Sequence, residues 1–186
     1  QQLPLQQYLS PGLILPYSAA SGCWWNRCSF CPERAEGNRY LPLPIPQVLA
    51  ELKQLVQQYH PMLLHLLDNA LSPALLQGLV EQPPGVDWYG FVRFEERLSD
   101  PGFCRALRQS GCVMLKLGIE SGDQTVLDKL HKGIRLEQAG QILENLWAAG
   151  IAVYGYLLFG TPAEDQAAAR RTLAFTHQHH QALTFL

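Results

Sequence analysis

Apolar and polar positions alternate along the chain in two rhythms. Short apolar runs at 13–20, 62–67, 88–94, 113–119 and 151–159 read as strands. Between them lie stretches whose apolar residues recur every three or four positions, the stripe of an amphipathic helix. In 47–59 the apolar positions are 48, 49, 52, 55, 56 and 59. Ser72-Pro73 places a capping side chain before a proline at the first helical position, so a helix is predicted to start there. Asp100-Pro101 opens the next helix and Gly111 closes it. A short helix is predicted over 123–130. A longer one covers 136–149, with 139, 142, 143, 146 and 147 apolar and Gly150 as its stop. Thr161-Pro162-Ala163-Glu164 has the spacing of a capping box and predicts a last helix running to about His177. The proline-rich stretch 41–46 reads as a short loop, and 182–186 as the start of a sixth strand.

Strands separated by helices imply parallel pairing through right-handed crossovers. The helices must then cover both faces of an open sheet or the outside of a barrel. Periodicity leaves both open; five or six units suit a partial barrel. Beyond the strand–helix unit there is no internal repeat.

Composition narrows the class. The chain has 186 residues, 47% hydrophobic and 16% charged, which excludes a disordered chain and allows one domain with a full core. A net charge of −2 gives no basic excess for nucleic acid or an anionic membrane, so neither partner is expected. No apolar run is long enough to span a bilayer, and residues 1–10 lack the basic start and apolar stretch of a leader, so the expected location is cytoplasmic. The first residue is not Met and 183–186 are apolar, which leads to the expectation of a segment from a longer chain.

Five cysteines are an odd number for a disulfide framework, and Cys23, Cys28 and Cys31 fall within nine residues. They follow the first predicted strand directly. In parallel α/β folds the loops after strands form the active face. Several readings fit three thiols on one loop. They can each take one iron of a cubane cluster, leaving the fourth iron open. They can hold zinc, with His60 or His65 as fourth ligand. Cys28 and Cys31 can form a dithiol pair, or all three can pack as small apolar residues.

Gly22-Cys23-Trp24-Trp25-Asn26-Arg27-Cys28-Ser29-Phe30-Cys31 resembles the cysteine loop of the radical S-adenosylmethionine superfamily. The usual form there is Cys-x3-Cys-x2-Cys with an aromatic before the last cysteine, the place of Phe30. Here four residues separate Cys23 and Cys28. This longer spacing is similar to the Gly-Cys-aromatic-Trp-x-(Lys/Arg)-Cys form of some cobalamin-linked and peptide-modifying branches. Further segments resemble the superfamily in order: Leu66 to Asn69 after the second strand, Val92-Arg93-Phe94 at the end of the third, Gly118 to Gly122 at the end of the fourth, Val126 to Gly133 beyond it, and Gly155 to Glu164 on the fifth.

The resemblance implies an α/β fold: a partial (β/α) TIM-like barrel of parallel strands with outer helices, ending after about the fifth or sixth strand. Residues 1–186 would be its core domain, with flanking domains at both ends. It implies a [4Fe–4S] cluster on Cys23, Cys28 and Cys31 that reductively cleaves S-adenosylmethionine to a 5′-deoxyadenosyl radical. The radical would take hydrogen from a substrate the sequence does not name, for methyl transfer or peptide modification. Phe30, Asp68, Asn69, Glu120, Ser121, Leu158 and Gly160 are the expected cofactor-binding residues. The expected electron donor is a flavodoxin or ferredoxin. Cobalamin would be held by a domain upstream of Gln1; the chain itself shows no cobalamin motif.

Plainer roles stand beside these. Asp68-Asn69 can form a turn, and Arg93 can pair with Glu120 or Glu95. Thr161 and Glu164 are explained by the capping box. Trp24 and Trp25 either shield the cluster or pack under the loop. Cys104 and Cys112 read as core thiols and His65 as a core histidine. His177, His179 and His180 read as a solvated helix end.

Overall fold

The computed structural model describes residues 9–186. Residues 1–8, most of the stretch read for a leader, lie outside the described residues. Seven strands form: β1 Ile14–Tyr17, β2 Ala20–Ser21, β3 Leu41–Pro42, β4 Leu63–Leu66, β5 Trp88–Val92, β6 Cys112–Glu120 and β7 Ala152–Leu157. The helices are α1 Pro32–Ala35, α2 Ile45–Tyr59, α3 Pro73–Glu81, α4 Pro101–Gln109, α5 Gln124–Lys129, α6 Leu136–Ala148 and α7 Gln166–Gln178. A 3₁₀ turn covers Glu96–Ser99.

The main sheet has the order β1-β4-β5-β6-β7, and every neighbouring pair is parallel. A parallel bridge between Tyr154 and Phe185 starts a sixth strand beside β7, as the apolar end of the chain predicts. Along each strand alternate residues point to opposite faces. Leu64, Leu66, Trp88, Val92, Leu115, Leu117 and Val153 are buried beneath the helices, where Leu52, Leu76, Leu107, Ile142 and Leu146 meet them. The other face carries His65, Tyr89, Phe91, Lys116 and Tyr154, all half-buried. The helix caps follow the local sequence: Ser72 accepts from the Leu75 N–H, Asp100 from Gly102 and Asp123 from Val126.

Four expectations need correction. The first strand is four residues long, not eight, because the chain turns at 18–19 to pair β2 with β3 antiparallel. The stretch 41–46 is therefore not only a loop: it supplies β3 and the start of α2. The sequence reading foresaw neither α1 nor the 3₁₀ turn, since four residues carry too little periodicity. The fourth correction is the capping box. The Thr161 hydroxyl is buried without a hydrogen-bond partner, and α7 begins only after Asp165, which accepts from the Ala168 N–H at 2.7 Å. Glu164 instead accepts from the Gly160 N–H at 2.6 Å, closing a turn ahead of the helix.

Candidate active site

The loop carrying Cys23, Cys28 and Cys31 leaves β2 and crosses the C-terminal ends of β4, β5 and β6. Its position is set by contacts that its own sequence supplies. Trp24 donates its indole N–H to the Leu71 carbonyl and Trp25 to that of His131, both at 3.2 Å. The Ser29 N–H donates to the Leu130 carbonyl at 2.9 Å. Two glycines make the approach possible. Gly22 has φ +73°, and a Cβ there would lie 2.3 Å from the Arg39 carbonyl oxygen. Gly133 has φ +67°, and a Cβ would lie 2.1 Å from the Trp25 ring. Within the longer Cys23–Cys28 spacing, Asn26 takes φ 44°, a left-handed conformation that Asn tolerates well. The two tryptophans thus pack under the loop and pin it.

All five cysteines are free thiols. Cys23, Cys28 and Cys31 line one cavity of about 230 Å³, together with Phe30, Glu33, Asn69, Phe91, Arg93, Glu120 and Lys132. Neither His60 nor His65 is in its wall. His60 caps α2 at the opposite end of β4, and the His65 ring is engaged with Lys116. Among the described residues no three His, Cys, Asp or Glu side chains converge on a point for a single metal ion. The three thiols share a cavity wall instead.

Cations surround the sulfurs. Arg93 is buried, its guanidinium 3.7 Å from the Cys28 sulfur and 4.2 Å above the Trp25 ring, and it donates to the Lys132 carbonyl. The expected Arg93 pair with Glu120 or Glu95 does not form. Lys132 takes Glu120 instead, at 2.7 Å, with both side chains buried. Burial raises the Cys28 thiol above its ordinary value, and the charges of Lys132 and Arg93 pull against that rise. Glu120 sits at a β-bulge between Gly118 and the strand end, with φ +62°. The bulge re-aims its carboxylate into the cavity. A Cβ on Gly118 would lie 2.4 Å from that carboxylate and 2.6 Å from the Lys132 ammonium, so a side chain there would have to displace the pair.

The expected cofactor-binding residues divide in two. Phe30, Asn69 and Glu120 reach the cavity. Asp68, Ser121, Leu158 and Gly160 do not line it; the first three stand behind it. Asp68 accepts from the Ala19 N–H at 3.1 Å, tying β4 to the turn that launches the cysteine loop. Burial raises its carboxyl, against backbone N–H groups that lower it. The Ser121 hydroxyl meets Thr172 on α7 at 3.1 Å. The Leu158 N–H donates to the Glu120 carbonyl at 2.9 Å, while Gly160 is exposed. Lys132 and Glu33 were missed. Lys132 lies in the stretch Lys129-Leu130-His131-Lys132-Gly133, whose polar residues give no sign that it is buried. Glu33, two residues past Cys31, has one buried carboxylate oxygen without a partner.

Cys104 and Cys112 are buried in the core, as expected. Burial pushes the Cys104 thiol up to about 11 and raises Cys112 as well. No helix among the described residues is long and apolar enough to cross a membrane.

No family model matches the chain. An uncharacterized methyltransferase of Pyrococcus horikoshii is 26% identical over 184 residues, 93% of this chain and 39% of that protein. The chain spans about two fifths of the length of the curated methyltransferases it matches. Among solved structures, the radical S-adenosylmethionine methyltransferase TsrM from Kitasatospora setae superposes with a TM-score of 0.74 at 22% identity, over 90% of this chain and 34% of that one. The cobalamin-dependent S-adenosylmethionine radical enzyme OxsB superposes with a TM-score of 0.70 at 19% identity, over 87% of this chain and 26% of that one. The chain has the fold of radical S-adenosylmethionine enzymes: part of a parallel α/β barrel with helices outside.

Proposed function

We propose that this chain is the cluster- and S-adenosylmethionine-binding core of a radical enzyme, with Cys23, Cys28 and Cys31 holding a [4Fe–4S] cluster. The observation that carries the reading is the shared cavity. Three free thiols on one loop line it at the C-terminal ends of parallel strands, with two buried cations beside them. When bound, the reduced cluster supplies the electron that cleaves S-adenosylmethionine, yielding a 5′-deoxyadenosyl radical for hydrogen abstraction.

The chain's own residues bind, orient and exclude water. Arg93 and Lys132 offset the negative charge of three thiolates. Trp24 and Trp25 close the loop's underside. Glu33, Asn69 and Glu120 offer the cavity oxygen acceptors suited to an amino group or ribose hydroxyls. Phe30 offers an aromatic face. Asp68, Ser121 and Leu158 act from behind, by fixing the backbone that carries these groups. Methyl transfer is the reaction class favoured by the named activities of the similar proteins, and a flavodoxin or ferredoxin is the fitting electron donor.

The test is anaerobic reconstitution of the full-length protein. About four irons per chain are expected, falling in Cys23→Ala, Cys28→Ala and Cys31→Ala. Dithionite should then produce 5′-deoxyadenosine from S-adenosylmethionine. A fully iron-loaded protein that forms none would refute the assignment.

A further inference from the structure

Below the cysteine cavity, on the sheet face turned away from the helices, lies a polar group that the site above does not use. The Lys116 ammonium is 3.0 Å from His65 Nε2, and the His65 ring stacks on Tyr89 with centroids 4.2 Å apart. Lys116 also sits 5.0 Å from the Tyr89 ring. None of the ion pairs among the described residues involves Lys116, and residues 1–8 contain no acidic side chain. An ammonium has three donors, and His65 takes one of them. The half-buried ammonium keeps two further donors and its charge for an acceptor on this face.

The surroundings are aromatic. Phe91 pairs in register with Lys116 across β5 and β6, and its ring is 5.5 Å from that of Tyr156. Tyr156 in turn lies 4.9 Å from Tyr154. Phe91 also lines the cysteine cavity, so the two regions share a wall. Tyr89 stands two residues before Phe91 on β5, about 7 Å deeper at the usual rise of a strand.

We infer that this inner face binds the substrate, and that the substrate carries an anionic oxygen group, carboxylate or phosphate, on a ring-bearing apolar body. The inference rests on the proposed function for its location beside the reacting centre. Lys116, oriented by His65, takes the anion as a charge-assisted hydrogen bond. Phe91, Tyr154 and Tyr156 take the ring. With the anion held there, the far end of the body reaches the mouth of the cysteine cavity.

The experiment measures binding of three probes to the full-length protein by titration calorimetry: 2-naphthoate, 2-naphthyl phosphate and the neutral 2-naphthamide. At least one anion should bind about tenfold or more tightly than the amide, the size expected of one hydrogen bond to a charged group. The two anionic arms tell carboxylate from phosphate. Lys116→Met should abolish the preference and Lys116→Arg should keep most of it. Equal affinity for all three probes in the unsubstituted protein overturns the inference without any variant, as does a preference that survives in folded Lys116→Met. Iron is counted on the same samples. Iron without anion preference sinks this inference alone, and anion preference without iron sinks the cluster reading alone.

Discussion

The Glu120–Lys132 pair shows how single residues build the site. A buried ion pair adds little net stability, but removing one partner strands a charge, at a cost of about 3–5 kcal/mol. Glu120→Gln and Lys132→Met should therefore each destabilise the fold by about 3 kcal/mol, whereas the double substitution should cost clearly less than their sum. Urea denaturation of the four proteins closes this cycle, and strictly additive costs would contradict the pairing. From the sequence, Glu120 was visible because it ends an apolar strand. Lys132 was not, because a lysine in a polar loop looks solvated until the cysteine loop is laid over it. For Arg93 the sequence offered Glu120 or Glu95 as partners, and neither forms a salt bridge with it. Trp25, the Cys28 sulfur and the Lys132 carbonyl surround it instead of a carboxylate.

Between elements, the Asp123–Arg171 contact joins the cap of α5 to α7. Burial raises the Asp123 carboxyl, but the Val126 N–H and Arg171 outweigh it and leave it below its ordinary value. A carboxyl lowered on folding stabilises the native state above its unfolded pKa, about 3.9. The contribution drains away as pH falls through the lower folded value. Asp123→Asn should thus cost more stability at pH 7 than in acid below the folded value, where the natural side chain is itself neutral. Chemical denaturation at the two pH values checks this, and a cost independent of pH would count against it. Element boundaries were legible where one cap had one solution, as at Ser72 and Asp100. They failed at Thr161, where Gly160 competed for the Glu164 carboxylate and Asp165 offered a second cap three residues before Ala168. Hydrogen-bond choices of this kind depend on which backbone groups are already satisfied, and spacing does not record that.

Across the molecule, three strand ends and one loop converge on a cavity that exists only in the folded chain. A cofactor bound there stabilises the native state by mass action. Cluster loading well above its dissociation constant should raise the melting temperature by about 5 °C or more. Anaerobic scanning of the iron-loaded and iron-free protein measures it, and an unchanged midpoint would mean that the iron is held outside the fold.

Strand–helix alternation, the apolar faces and the spacing of three cysteines are local properties of the chain. Each can be read in a window of a few residues, and together they led to a parallel α/β fold with three thiols on its first loop; the choice of a barrel over an open sheet came from the family resemblance. The burial of Lys132, the stacking of Arg93 on Trp25 and the meeting of His65 with Lys116 join residues 12 to 68 positions apart. Such contacts arise from strand order, register and the bulge before Glu120, which only the packed sheet sets, because a side chain's charge and solvation depend on neighbours brought from elsewhere in the chain.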